Sequence, residues 1–246
     1  MNRLMPFVFG LIVTATLCGC MNSDSEMKVI HGGLRAIVGS SNEPGALFEK
    51  YDPQGFAKRK SNWTAPFNLT GVSWNDSRTC TLITRQHVVM AAHYTRPSDV
   101  PVIFHDRKGR NHERFIVGVK SLAPQYDVAI GKLDQPLPDL VKYYEFPPIR
   151  DVAHGVDVLV TDQTKQVSIH QVSAKQGAMI QFSYHPTLPE SLRRNLVTGD
   201  SGNPTFVISG GDLKLVETHT YGGPGTGPDY SQPQLQKAIH AAIRGW

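Results

Sequence analysis

An all-β fold closed by a single C-terminal α-helix is what this chain predicts, and three observations carry the expectation. Glycine (22) and proline (17) are frequent among the 246 residues, which favours many turns. Apolar runs are short and bounded by turn residues, as strands are. Helical periodicity is scarce until Gln232, after which Leu235, Ile239, Ala242, Ile243 and Trp246 fall on one face. With 40% hydrophobic and 19% charged residues, the chain suits one globular unit of one large or two small cores. Nothing in the composition points to disorder, collagen or a coiled coil.

Taken in order, the first residues read as an address. Arg3 gives a weakly positive start, and Phe7 to Leu17 is an apolar run too short to span a bilayer as a mature helix. Met21 to about Lys28 is polar and reads as a flexible tether. Strands are expected at Leu69–Trp74, Thr79–Thr84, His87–Ala91, Pro101–His105, Arg114–Lys120 and Asp127–Leu133. Pro136, Pro138, Pro147 and Pro148 mark a joint. Beyond it, strands are expected at Val156–Thr161, Gln166–Ser173, Ala178–Ser183, Thr205–Ser209 and Leu213–Thr218. Val167 and Ile169 alternate with Gln166, Ser168 and His170, which predicts a half-buried strand.

Charge and cysteine content exclude some classes of function. The net charge of +4 is spread along the chain, so nucleic acid is a poor partner, and Lys58-Arg59-Lys60 reads as a solvated loop. Ten histidines invite a metal, yet no His-Glu-x-x-His is present and His112-Glu113 reads as surface, so no metal or organic cofactor is expected. Of three cysteines, Cys18 and Cys20 lie at the end of the leader, which leaves Cys80 without a partner for a disulfide.

Three segments carry chemistry-bearing residues. Val88-Val89-Met90-Ala91-Ala92-His93 sets a histidine after a buried-type run. Tyr126-Asp127-Val128-Ala129-Ile130 sets one acid at the head of an apolar strand, where a strand cap is the plain reading of it taken alone. Thr198-Gly199-Asp200-Ser201-Gly202-Asn203-Pro204 sets a serine between glycines, where backbone can approach a ligand closely. A hydroxyl is a weak nucleophile near neutral pH and needs an imidazole to accept its proton, and the imidazole needs a partner that fixes its tautomer.

Together, in the order His, Asp, Ser, these segments resemble the chymotrypsin (trypsin-like) serine protease family, over roughly Val72 to Trp246. The resemblance implies two six-stranded antiparallel Greek-key β-barrels, about residues 29–135 and 151–231, a joint at 136–150 and a helix at 232–246. It implies His93, Asp127 and Ser201 as the triad of a serine endopeptidase and the N–H groups of Gly199 and Ser201 as the oxyanion hole. Asn195, Thr220, Tyr221 and Gly222 become substrate-binding residues, with Gly223 to Gly227 as the far wall of the pocket. Arg193 and Arg194 beside Asn195 raise an acidic or polar preference. The expected partner is a protein or peptide substrate, bound by a monomer.

Leu17-Cys18-Gly19-Cys20 resembles the bacterial lipobox, which implies a leader over 1–19, a lipid on Cys20, a tether over 20–28 and a lipid-anchored place in the cell envelope. The sequence departs from the family pattern in places. Cys80 and Tyr94 break the cysteine pair around the histidine, so packing alone is expected to hold that loop. Ile37-Val38-Gly39-Ser40 and Val29-Ile30-His31-Gly32 both resemble the N-terminus that cleavage frees to pair with the residue at Asp200. A preformed oxyanion loop needing no cleavage is the other reading, and both stay open. An α/β-hydrolase would want Gly-x-Ser-x-Gly and the order Ser, Asp, His. The remaining alternative is a non-catalytic protease-like binding module on the cell envelope.

Overall fold

The computed structural model describes residues 34, 37–39 and 41–246. The leader, the tether and Cys20 lie outside the described residues. The chain is mostly antiparallel β-sheet with a helix at its C-terminus, and no helix among the described residues is long and apolar enough to cross a membrane.

The first half contains β1 (Gly45–Ala46), β2 (Phe48–Tyr51), β3 (Ala57–Arg59), β4 (Thr81–Leu82), β5 (His87–Ala91), β6 (Val102–His105), β7 (Asn111–Arg114), β8 (Ile116–Ser121) and β9 (Val128–Leu133). One sheet runs β4-β5-β9-β8, while β2-β3 and β6-β7 are hairpins. The second half contains β10 (Asp157–Thr161), β11 (Gln166–Gln176), β12 (Met179–Tyr184), β13 (Pro204–Ser209), β14 (Asp212–Thr218) and β15 (Thr226–Pro228). Its sheet runs β14-β13-β10-β11-β12-β15, with β1 crossing over to pair with β11. This sheet is curled. Just past β15, Tyr230 donates its N–H to Val216 O of β14 at 2.9 Å, so the two ends of the strand order meet.

The central strands are buried on both faces, which is why they read as unbroken apolar runs. On β5, Val88 and Met90 enter a core with Leu82, Phe104, Ala129 and Leu133, whereas Val89 points to the opposite face. On β10, Val158 and Val160 enter a core with Val172, Ile180, Phe182 and Val207, whereas Leu159 turns away from it. Val89 and Leu159 thus belong to a third cluster that takes residues from both halves and from α1 (Pro233–Arg244). The helix starts with Pro233 in its first turn, where a missing N–H costs nothing, and its Leu235 and Ile239 are fully buried. Each contributes about 1.5–3 kcal/mol of burial. Trp246 lies past the helix end, stacked on His87 at 5.4 Å between ring centroids with Lys120 Nζ 4.2 Å above it.

Three expectations are corrected. Leu69–Trp74 is not a strand: Val72 makes one isolated bridge to Thr81, flanked by Ser73 N–H to Cys80 O and Leu82 N–H to Gly71 O, and the Val72 N–H turns back to Leu69 O at 3.4 Å, so the chain before it is a turn. Lys58 and Arg59 belong to strand β3 rather than a loop, and burial lowers the Arg59 guanidinium to about 10. β11 is buried on both faces over Val167–His170, because Ser168 and His170 are covered as fully as Val167 and Ile169.

Candidate active site

Strand register brings His93 and Asp127 together. Ala91, the last residue of β5, pairs with Val128, the first of β9, and the ladder runs one step further as Ala92 N–H donates to Asp127 O at 3.0 Å. The chain then turns through a 3₁₀ turn at Ala92–Tyr94, which lifts the His93 ring off the sheet end. Asp127 ends a second 3₁₀ turn with a left-handed backbone, φ +50°, and its carboxylate comes back over His93. Asp127 Oδ1 accepts the His93 main-chain N–H at 3.0 Å, and Oδ2 lies 2.7 Å from His93 Nδ1. A carboxylate can only accept, so Nδ1 carries the proton and Nε2 is left as a base.

Ser201 arrives from the other half. Its Oγ lies 2.9 Å from His93 Nε2, so the three side chains stand in series over 108 residues of sequence. The turn that carries it is held by Gly202 N–H to His219 O at 2.9 Å, His219 N–H to Asn203 O at 3.0 Å, and Thr79 Oγ1 to Asn203 Oδ1 at 3.1 Å. Gly202 has φ +84°, and a Cβ there would stand 3.3 Å from Thr79 O and 3.5 Å from the Ala91 nitrogen. The glycine therefore serves both the turn and the close approach of the turn to β5.

Among the described residues, the N–H groups of Gly199 (φ +97°) and Ser201 meet no acceptor. Asp200 is 1% exposed and turned inward, with Oδ1 accepting Gln163 N–H at 3.0 Å and Oδ2 accepting Val197 N–H at 2.7 Å. Ile37, the first residue of the second candidate N-terminus, is helical and lines a separate cleft with Phe67, Arg107 and Ile208. Val29 to Gly32 and Ser40 lie outside the described residues.

A cleft of about 570 Å³ opens beside the three side chains, lined by His93, Leu196 to Thr198, Asp200, Ser201 and His219 to Gly222. Tyr221 presents an exposed ring there, and Gly222 backs onto Leu196, where a Cβ would stand 2.5 Å from the carbonyl oxygen. The bridge Leu196–Gly223 joins the two walls, and Gly225 packs against Leu196 and Phe182. Asn195 does not line the cleft: it is exposed and accepts the Tyr184 hydroxyl at 3.0 Å, because strand pairing of Leu196 turns it outward. Arg193 and Arg194 do not line it either. Arg193 Nη2 is spent on Leu188 O at 2.8 Å, and Arg194 Nε on Asp162 at 2.8 Å, which removes the basis for an acidic preference.

Several contributors were not foreseen. Thr220 Oγ1 donates to Asp127 Oδ2 at 2.8 Å, so it orients the carboxylate rather than facing the cleft alone. Arg96 is 1% exposed and donates to Arg78 O, Asn75 Oδ1, Pro101 O and Ser73 Oγ, while Tyr94 and Ser77 hydroxyls meet at 2.8 Å. The loop after His93 is therefore held by a polar network and not by packing alone, and Cys80, free and buried, has its thiol pushed up to about 11 by desolvation. His170, fully buried, donates from Nδ1 to Pro224 O at 2.6 Å and accepts Arg194 N–H at Nε2, tying the two walls. That pattern needs a neutral ring, and burial lowers it to about 4. His219 goes the other way: burial opposes its charge, yet the Glu217 carboxylate at 2.5 Å, the Thr161 carbonyl and Asp200 raise it above its ordinary range. None of these contacts was legible in sequence, since each partner is distant or unremarkable there.

Compared with known proteins, the chain matches no family model, and no curated protein is significantly similar to it.

Proposed function

We propose that the chain is a serine endopeptidase of the chymotrypsin type. The observation that carries this reading is the pair of contacts about one ring, Asp127 to His93 Nδ1 at 2.7 Å and His93 Nε2 to Ser201 Oγ at 2.9 Å. Ser201 Oγ bonds to the scissile carbonyl carbon as its proton passes to His93 Nε2. The carbonyl oxygen takes the electron pair and is met by the N–H groups of Gly199 and Ser201, each worth on the order of 3 kcal/mol of barrier. As the C–N bond breaks, His93 returns the proton to the leaving amine, and water then repeats the sequence to free Ser201. The substrate adds an extended segment along Thr220 to Gly222, whose Thr220 O and Gly222 N–H have no partner among the described residues.

The strand order supports the two-barrel reading. On this reading the curled sheet β14 to β15 is the larger part of one barrel, and the sheet β4-β5-β9-β8 belongs to the other with the two hairpins, which the bridge Phe56–Arg110 joins to each other. A fluorophosphonate probe tests the function. The expected result is one adduct on Ser201, none on Ser201→Ala, and casein hydrolysis lost in that variant with its melting temperature unchanged. A folded protein that takes no adduct, or equal hydrolysis by both proteins, rejects the proposal.

A further inference from the structure

The N–H of Gly199 can serve an oxyanion only if the peptide that carries it faces the right way, and the residue that sets this lies outside the cleft. Gln163 sits in the turn between β10 and β11. Its main-chain N–H holds Asp200 Oδ1, and its side-chain Nε2 donates to Thr198 O at 3.0 Å. A peptide unit is planar and trans, so its C=O and N–H point in opposite directions. Pinning the Thr198 carbonyl toward Gln163 therefore turns the Gly199 N–H away from Gln163. The contact is close as well: a Cβ on Gly199 would stand 2.6 Å from Gln163 Oε1 and 2.7 Å from Nε2.

Glycine at φ +97° leaves this peptide free to turn over. In the turned-over form the Thr198 carbonyl would face the cleft and repel a developing oxyanion. We infer that Gln163 is a positioning residue for the proposed peptidase, whose carboxamide holds the Thr198–Gly199 peptide in the orientation that receives the oxyanion. The inference rests on the peptidase reading and adds to it a residue that never touches substrate.

Two near-isosteric variants separate this role from simple support. Gln163→Met keeps the bulk and loses the donor. Gln163→Glu loses the donor and adds a carboxylate that repels the Thr198 carbonyl and accepts the turned-over N–H. Both keep the main-chain bond to Asp200. On the full chain, the labelling rate of Ser201 by a fluorophosphonate is expected to fall about tenfold in the Met variant, the worth of one hydrogen bond, and about 100-fold in the Glu variant at neutral pH. Relative to wild type, the Glu variant is expected to recover past the Met value and toward the wild-type rate as pH falls through the carboxylate range, because a protonated carboxyl can again donate to Thr198 O. With 4-nitrophenyl acetate, kcat is expected to fall while KM stays. Wild-type rates in both variants overturn the inference and leave the peptidase reading intact. So do equal losses at every pH with a lowered melting temperature, which mark a mere prop. A wild-type chain that takes no label overturns both.

Discussion

The side of the site that supplies imidazole and carboxylate is built from strands, whereas the side that supplies the hydroxyl is built from turns. His93 and Asp127 meet because Ala91 pairs with Val128, a relation fixed by a ladder whose side chains fill a core on each face. Ser201 stands where it does because Asp200, Asn203 and Gln163 each spend polar groups on neighbouring backbone, and because two glycines permit positive φ. A ladder spreads its hold over many bonds, so one side chain can change without moving the others. A turn held by a few polar side chains has no such reserve. The first side should therefore separate chemistry from stability under mutation, and the second should couple geometry to hydrogen bonding and to pH.

The largest expected effect tests the separation. Asp127→Asn keeps the shape and an acceptor at Oδ1 for the His93 main-chain N–H, but puts an amide NH2 where Oδ2 stood, which can accept from neither Nδ1 nor the Thr220 hydroxyl. On the proposed peptidase reading, hydrolysis should fall by about 10⁴-fold, the loss that this change brings in serine proteases with a His-Asp-Ser triad, because the imidazole takes the wrong tautomer. Thermal unfolding should move by no more than a couple of degrees. A matching collapse of stability would mean that the carboxylate, and not the ladder, holds this side together.

The next effect reverses the pattern. Ile130 is fully buried, paired across the ladder with Val89 in the cluster shared by both halves. Ile130→Ala should cost about 4 kcal/mol in urea unfolding, by lost transfer energy and the cavity left behind, while the folded fraction keeps its labelling rate within a few-fold. A loss below about 1 kcal/mol would show that the ladder is not what stabilises this side.

The same contrast explains what the sequence made legible. β5 was read at its full extent from Val88-Val89-Met90, because burial on both faces leaves an unbroken apolar run. β2, β3 and β7 were missed, since Phe-Glu-Lys-Tyr, Ala-Lys-Arg and Asn-His-Glu-Arg are peripheral hairpins whose exposed faces carry charge. β15, Thr-Gly-Pro, has too little side chain to signal a strand. His93, Asp127 and Ser201 stood out because local motifs surround them. The contacts of Gln163 and His170, and the one that Thr220 makes with Asp127, did not, because they depend on partners 35, 54 and 93 residues away that only the folded turns bring near. Asn195 shows the same limit from the other side: the resemblance points to a segment whose next residues, Leu196 to Thr198, line the cleft, but not to which of its side chains faces inward.

The smallest expected effect sharpens the pH half of the comparison. His170 is held neutral by donating to Pro224 O and accepting from Arg194 N–H, and burial lowers it from an ordinary 6.5 to about 4. Between those values the unfolded chain binds a proton that the native chain refuses, so stability is complete above pH 6.5 and falls as pH drops toward 4. The loss should level off below that, at roughly 3–4 kcal/mol at most, since one pKa unit corresponds to about 1.4 kcal/mol. His170→Gln lacks that titration, so urea midpoints of the two proteins measured from pH 7 to 4 should converge as pH falls. The other histidines titrate alike in both and cancel. Parallel curves would mean that the two walls of the cleft are not tied through this ring, and that the turn-built side resists acid as well as the ladder does.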